Sequence, residues 1–273
     1  MVDIADTAVS ADGWVIIIVA DQRGAGAVHL HAILRRIKEV PNMKVSVVIP
    51  VFNERATVAQ VLSKVRASFK RNALDGEMVV VDDGSTDGTS EILKTIEKEI
   101  GFSLLVHKQN QGKGAAIRTG LAAVTGGVVV IQDADLEYNP DEYGLLVQPI
   151  FDGNADVVYG SRFMPVTQLL QPFWHTWINK FITLVCNMVT NVNFTDVETC
   201  YKAFKREVIS AILIESKGFS MDIELTVKLA RMKLRICEVP IKYTPRTIAD
   251  GKKIRWTDGV CALYAMLKYS LGK

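Results

Sequence analysis

The chain has 273 residues, 49% hydrophobic and 23% charged, enough to bury the core of one large α/β domain or two smaller ones. A disordered chain and a disulfide-stapled miniature are both excluded. With 32 basic against 30 acidic residues the formal net charge is +2, too even for nucleic acid to be the expected partner.

The four cysteines, Cys186, Cys200, Cys237 and Cys261, form no CxxC pair, which suits a reduced, cytoplasmic setting. No apolar run reaches the roughly 18 to 20 residues of a spanning helix. The most apolar run, residues 14–20, stops at Asp21 and lacks the flanks of a secretory signal. Mean hydropathy is nevertheless +0.18, high for such a chain.

In chain order, residues 14–20 read as a short buried strand and residues 31–39 as a helix. Gly24-x-Gly26 is no dinucleotide fingerprint, because His29 stands where the third glycine belongs. Met43-Lys44 then opens a strand so cleanly that residues 1–42 are expected to be an extension of unclear role. From there strands and helices alternate. Strands are expected at 45–49, 78–81, 104–106, 128–131 and 157–159. Between them, Val58, Val61, Leu62, Val65 and Phe69, then Ile92, Leu93, Ile96 and Ile100, fall at helical spacing, with a third helix over 114–124. Continuously apolar strands separated by amphipathic helices predict a mostly parallel, Rossmann-like sheet with helices on both faces.

Polar residues cluster where these strands end. Pro50-Val-Phe-Asn-Glu54 follows the first, Asp82-Asp-Gly-Ser-Thr-Asp87 the second and Asp133-Ala-Asp135 the fourth. The carboxyl edge of an open parallel sheet is where ligands bind, so three separated segments converge on one crevice. On an extended segment Asp133, Asp135 and Glu137 would point to one side, and such oxygen donors suit Mg²⁺ or Mn²⁺ holding a diphosphate. The bland alternative is a solvated turn ending at Asn139-Pro140. Asp82 and Asp83 are more than helix capping needs, and one of them can accept hydrogen bonds from a nucleobase or ribose. Asn110-Gln-Gly-Lys-Gly114 lacks the spacing of a P-loop. Its glycines, Gly112 and Gly114, allow close backbone approach, with Lys113 as a phosphate partner.

In succession, Pro50-Val-Phe-Asn-Glu54, Val80-Val-Asp-Asp-Gly-Ser-Thr-Asp87, Asn110-Gln-Gly-Lys-Gly114, Asp133-Ala-Asp135 and Gly160-Ser-Arg162 resemble family 2 glycosyltransferases of the GT-A fold. Thr199-Cys-Tyr-Lys-Ala-Phe-Lys205 and Glu238-Val-Pro-Ile-x-Tyr243, with Arg246 and Lys252 beyond, narrow the resemblance to dolichyl-phosphate and polyprenyl-phosphate sugar transferases. The resemblance covers about residues 44 to 270. It implies a nucleotide-sugar-binding core over 43–165 and an acceptor-side, membrane-interface region over 166–273. It further implies that Pro50, Phe52, Glu54 and Asp83 contact the nucleoside, that Asp133, Ala134, Asp135 and Glu137 lie at the metal and donor diphosphate, and that Arg162, Arg246 and Lys252 meet phosphate oxygens.

The segment 174–192 carries Trp174, Trp177, Ile178, Phe181, Ile182, Val185, Met188, Val189 and Val192 at steps of three or four, one apolar stripe. Core packing explains the stripe equally well; with the resemblance it is expected to lie in a membrane interface. Between Lys242 and Arg255 five basic residues face one acid, which fits a phosphorylated lipid or an anionic membrane surface. A final helix is expected over 257–271. The resulting expectation is a metal-dependent, inverting hexose transfer from a GDP-mannose or UDP-glucose type donor to a polyprenyl or dolichyl phosphate, by a cytoplasmic protein attached peripherally to the membrane.

Two alternatives remain at this stage. A sugar-hydroxyl acceptor, as in polysaccharide or glycolipid synthesis, would need a base, and Asp222 or Glu224 could supply it; the plain reading of that segment is a helix start capped by Ser220. The other is a non-catalytic nucleotide-sugar binding protein.

Overall fold

The computed structural model describes residues 4–9, 14–21, 29–36, 43–164, 173–218, 220–246 and 256–271. The chain divides into two compact units, Met1–Asn42 and Met43–Lys273.

In the first unit, β1 (Ile4–Val9), β2 (Trp14–Asp21) and β3 (His29–Arg36) form an antiparallel sheet in that order. The expected strand over 14–20 is β2. The expected helix over 31–39 is instead β3, paired with β2 from Trp14↔Arg36 to Asp21↔His29. Leu30, Ala32 and Leu34 alternate with other residues at the period of two that a strand needs, and β2 offers a full row of backbone partners.

The second unit is built on a seven-stranded sheet. Its strands are β4 (Val45–Val51), β5 (Gly76–Asp82), β6 (Ser103–Val106), β7 (Val128–Ile131), β8 (Val157–Ser161), β9 (Lys202–Lys205) and β10 (Ile236–Pro240), in the order β10-β8-β9-β7-β4-β5-β6. All pairings are parallel except those of β9, which runs antiparallel to β7 and β8. Val45, Val47, Val48 and Ile49 are fully buried, because β4 is covered on both faces. Burying each such side chain contributes about 1.5–3 kcal/mol.

The connecting helices are α1 (Val58–Arg71), α2 (Thr89–Ile96), which continues as a π turn over Glu97–Gly101, α3 (Lys113–Leu121) and α4 (Tyr143–Phe151). Val58, Val61, Leu62, Val65 and Phe69 form the buried face of α1, as their spacing predicts. Beyond β8 come α5 (Phe173–Thr190), α6 (Arg206–Ser210), α7 (Met221–Arg231) and α8 (Trp256–Leu271).

Helix α5 corrects the single-stripe reading. Ile182 and Cys186 pack into the core together with Thr183, which lies on the polar side of the wheel, whereas Trp174, Trp177, Phe181 and Met188 are exposed. The Thr183 hydroxyl earns its burial by accepting from Val197 N. Among the described residues no helix is long and apolar enough to cross a membrane.

The insertion of β9 determines where the site forms. Because β9 is antiparallel, its entering end lies at the carboxyl edge of β7 and β8. The turn 195–201 is thereby brought beside Asp133, which follows β7, and Arg162, which follows β8.

Candidate functional site

Four segments meet at this edge. The Asp-Ala-Asp turn leaves β7 buried at Ala134, whose carbonyl accepts from the Thr57 hydroxyl at 2.7 Å. The chain does not stay extended there. Glu137 N donates to Asp135 Oδ1 at 3.1 Å and Leu136 takes a φ of 64°, so the segment turns between Asp135 and Glu137. The Glu137 carboxylate accepts from the Tyr243 hydroxyl at 2.8 Å and from Arg246 N at 2.8 Å.

Each aspartate is met by a cation. Lys113 Nζ lies 2.9 Å from Asp133 Oδ1, and Arg246 Nη2 lies 3.1 Å from Asp135 Oδ2. Burial opposes the Lys113 charge, but Asp133 and Asp222 outweigh it and hold the ammonium well above its usual pKa. Burial likewise works against ionised Asp133, and Lys113 reverses the balance, so its pKa is lowered. Asp135 behaves oppositely: burial first, then repulsion from Asp133 and Glu137, push it up to about 7 against the pull of Arg246.

Arg246 spans the crevice, with Nη1 3.1 Å from Glu54 Oε2. Glu54 also accepts from the Thr57 hydroxyl at 3.0 Å. Arg246 Nε stays 4.0 Å from Glu137 Oε1 and is buried without a hydrogen-bond partner. Arg162 is gripped by Asp196 through both prongs of its fork, at 2.7 and 2.8 Å, and its guanidinium lies 5.1 Å over the Tyr243 ring.

Asp82 and Asp83 are buried and serve the fold. Asp82 accepts from Ser85 N and the Ser90 hydroxyl. Asp83 accepts from Gln111 N at 3.0 Å and Gly112 N at 2.7 Å, and lies 2.6 Å from His107 Nδ1. Loop amides without a strand partner need acceptors, and these carboxylates supply them. Gly112 has φ 95°, and a Cβ there would lie 2.4 Å from Lys217 O, so the loop requires glycine. Gly114 N donates to the same carbonyl at 2.7 Å. Pro50 lies within β4 opposite Val81, and Phe52 is half-buried just past it.

At the start of α7 the two candidate bases differ sharply. Glu224 is fully buried and accepts from Glu215 N, Ser216 N and Lys228 Nζ at 2.7, 2.7 and 2.6 Å. Burial raises its pKa, but these donors outweigh burial and lower it. It staples the 215–216 turn to α7. Asp222 faces the site: Oδ1 lies 2.5 Å from Nζ of the fully buried Lys202, and Oδ2 lies 3.9 Å from Lys113 Nζ. Ser220 makes no side-chain cap. Lys252 lies outside the described residues.

Asp196 and Glu198 reach this edge without having been singled out in the sequence, together with Thr199 and Lys202 of the segment 199–205 that the family resemblance includes. Their placement depends on β9 running backwards, and a four-residue strand carries no directional signal. Among the described residues no three His, Cys, Asp or Glu side chains already converge as metal ligands. Asp133 and Asp135 remain hard oxygen donors to which a diphosphate and water would add the rest of an Mg²⁺ or Mn²⁺ shell.

The sequence profile of glycosyl transferase family 2 matches residues 46–213. This chain belongs to that family. It is 29% identical over 218 residues to undecaprenyl-phosphate mannosyltransferase of Micrococcus luteus, covering 77% of this chain and 87% of that one. It spans only 51% and 59% of two further curated relatives. The crystal structure of glucosyl-3-phosphoglycerate synthase from Mycobacterium tuberculosis, in complex with Mn²⁺, uridine-diphosphate and phosphoglyceric acid, superposes with a TM-score of 0.64. Identity there is 20%, and the match covers 84% of this chain and 79% of the other. Mannosyl-3-phosphoglycerate synthase from Rubrobacter xylanophilus gives a TM-score of 0.63 at 18% identity, covering 84% and 73%. The architecture is thus the GT-A type that the motifs imply.

The acceptor expected from the sequence is corrected by these structures. The two solved structures described above, each matching 84% of this chain, are phosphoglycerate synthases, so a polyprenyl or dolichyl phosphate is not retained as acceptor, nor a membrane surface as partner. Two of the features behind that expectation are used by the fold itself. Arg162 is neutralised by Asp196 inside the fold, and the inner face of α5 packs on the core.

Proposed function

We propose that this chain is a metal-dependent glycosyltransferase that moves a hexosyl group from a nucleoside-diphosphate sugar to a hydroxyl group of a small acceptor. The observation that carries the reading is the pair of cations on the Asp-Ala-Asp turn, Lys113 on Asp133 and Arg246 on Asp135, at the carboxyl edge of the sheet. Such a turn accommodates a cation and a diphosphate together. The names of the matched phosphoglycerate synthases support a small hydroxyl acceptor bearing its own anionic group.

When bound by Asp133 and Asp135, Mg²⁺ or Mn²⁺ supplies positive charge to the departing diphosphate. Arg246 donates its unpartnered Nε, and Lys113 its ammonium, to diphosphate oxygens as negative charge grows there. Glu54 holds Arg246 in place from the far side. Pro50 and Phe52 line the end of β4 where the nucleoside would rest. An alcohol, unlike a phosphate, must lose a proton as it attacks, so a carboxylate at the acceptor side is required.

The test incubates the full chain with Mn²⁺, UDP-glucose or GDP-mannose, and 3-phosphoglycerate, a neutral sugar or a polyprenyl phosphate. Glycosylated phosphoglycerate or sugar is the expected product. A glycosyl lipid as sole product, or no product with any acceptor, would overturn the reading.

A further inference from the structure

We propose that Glu198 is the general base that takes the proton from the acceptor hydroxyl, a role that rests on the hydroxyl-acceptor reading above.

The carboxylates along the crevice can be compared by what already holds them. Asp196 is bound by both prongs of Arg162 and by Arg162 N. Glu54 and Asp135 are tied to Arg246, and Glu137 to Tyr243 and Arg246 N. Asp133 carries Lys113. Asp222 carries Lys202 at 2.5 Å with Lys113 3.9 Å from its other oxygen, so its lone pairs face two ammonium groups. A carboxylate pinned in this way is a poor proton acceptor, because taking the proton would break its ion pair.

Glu198 differs from all of them. It sits on the turn entering β9, two residues from Asp196 and next to Thr199, and its half-buried carboxylate makes no hydrogen bond or ion pair among the described residues. Arg162 beyond β8, Lys202 on β9, Asp222 on α7 and Asp196 on the same turn are the charged groups that act on it. Burial is the largest influence, and repulsion from Asp196 and Asp222 adds to it against Arg162 and Lys202, so its pKa is pushed up to about 7. A base poised there is about half ionised at neutral pH and basic enough to accept a proton in the transition state.

A second observation places a ligand beside it. Among the described residues only two buried side-chain polar atoms lack a partner, Thr199 Oγ1 and Arg246 Nε. They belong to one neighbourhood: Tyr138 accepts from Cys200 N and pairs with Tyr243, three residues before Arg246. Leaving a buried polar atom without a partner is costly, so two of them near this edge are the atoms that a bound substrate would satisfy. Arg246 belongs to the cluster that holds Asp135 and Glu54, and Thr199 is the chain neighbour of Glu198 on the turn entering β9.

The step is a single displacement. The acceptor oxygen forms a bond to the anomeric carbon while its proton passes to a Glu198 carboxylate oxygen. The bond from that carbon to the diphosphate oxygen breaks, and its electron pair leaves with the nucleoside diphosphate. Lys202 keeps Asp222 in place as a positioning residue and takes no proton.

The experiment compares wild type, E198Q, E198D and D222N in the full chain. Nucleotide-sugar binding is measured by calorimetry and kcat against pH with the best hydroxyl acceptor. Azide, an anionic nucleophile with no proton to lose, serves as a parallel acceptor. E198Q is expected to lower kcat for the hydroxyl acceptor by about 10²- to 10⁴-fold, to leave donor binding unchanged and to abolish the acidic limb of the profile. With azide it is expected to match wild type, and E198D is expected to retain the acidic limb at reduced kcat. If E198Q does not fold, the wild-type profile and E198D decide, since loss of the acidic limb from either overturns the assignment. Hydroxyl transfer by E198Q within about threefold of wild type, or equal losses with azide and hydroxyl, would overturn this assignment alone. Absence of hydroxyl transfer by wild type would overturn the hydroxyl-acceptor reading and this assignment with it.

Discussion

Arg246 Nη2 lies 3.1 Å from Asp135 Oδ2, and the same guanidinium reaches Glu54 through Nη1 at 3.1 Å. One cation thus joins the turn after β7 to the segment after β4, while its Nε remains without a partner.

Arg246→Ala is expected to weaken nucleotide-sugar binding. Loss of a charge-assisted hydrogen bond costs about 2 kcal/mol, or roughly a thirtyfold higher Kd, measurable by calorimetry. Arg246→Lys restores the charge but not the planar fork and is expected to recover only part of the loss. Unchanged affinity in the alanine variant would remove Arg246 from the donor site.

Asp135→Asn retains the shape of the turn and removes a hard anionic donor. Mn²⁺-dependent turnover is expected to fall by about 10²-fold or more, with the metal concentration for half-maximal rate shifted upward. Turnover that still saturates at the wild-type Mn²⁺ concentration would exclude Asp135 as a ligand.

Glu224→Gln tests a structural role. Removing the charge leaves Lys228 without its buried partner and is expected to cost about 3 kcal/mol, which lowers Tm by roughly 6–12 °C for a chain of this size. The folded fraction is expected to keep its kcat. Loss of kcat at unchanged Tm would return Glu224 to the catalytic residues.

Glu77 governs part of the acid stability. Burial raises its pKa, but Lys44, Ser46 and Thr125 outweigh burial and lower it from 4.5 to about 2. Its folded value is depressed, so its contribution is present above about pH 4.5 and fades as pH falls toward 2. Because Glu77 is partly exposed, that contribution is of the order of 1–2 kcal/mol. In denaturant titrations, Glu77→Gln is expected to flatten the loss of stability between pH 4.5 and 2. An unchanged slope would show that other carboxylates carry it.

Much of the sheet was legible from local pattern. The runs at 45–49, 78–81, 128–131 and 157–159 are strands because continuous β-branched segments bury well between two helical layers. The convergence of Asp133 and Lys113 on one edge follows from that alternation. The segment 31–39 reads as a helix because Ile33 fills a gap in the alternation of Leu30, Ala32 and Leu34, and pairing with β2 is what makes His29–Arg36 a strand.

By itself the sequence determined the five strands between residues 45 and 159, the first three helices between them and the polar motifs at strand ends, because periodicity and chain order are local properties. The tertiary structure alone decided what each ionisable group does. Asp83 and Glu224 accept from loop amides, Asp222 is paired with Lys202, and Glu198 has no hydrogen bond or ion pair among the described residues. Partners such as Arg246 and Glu54 stand 192 residues apart, and whether a carboxylate holds a loop, a cation or a substrate depends on which long-range contact reaches it first.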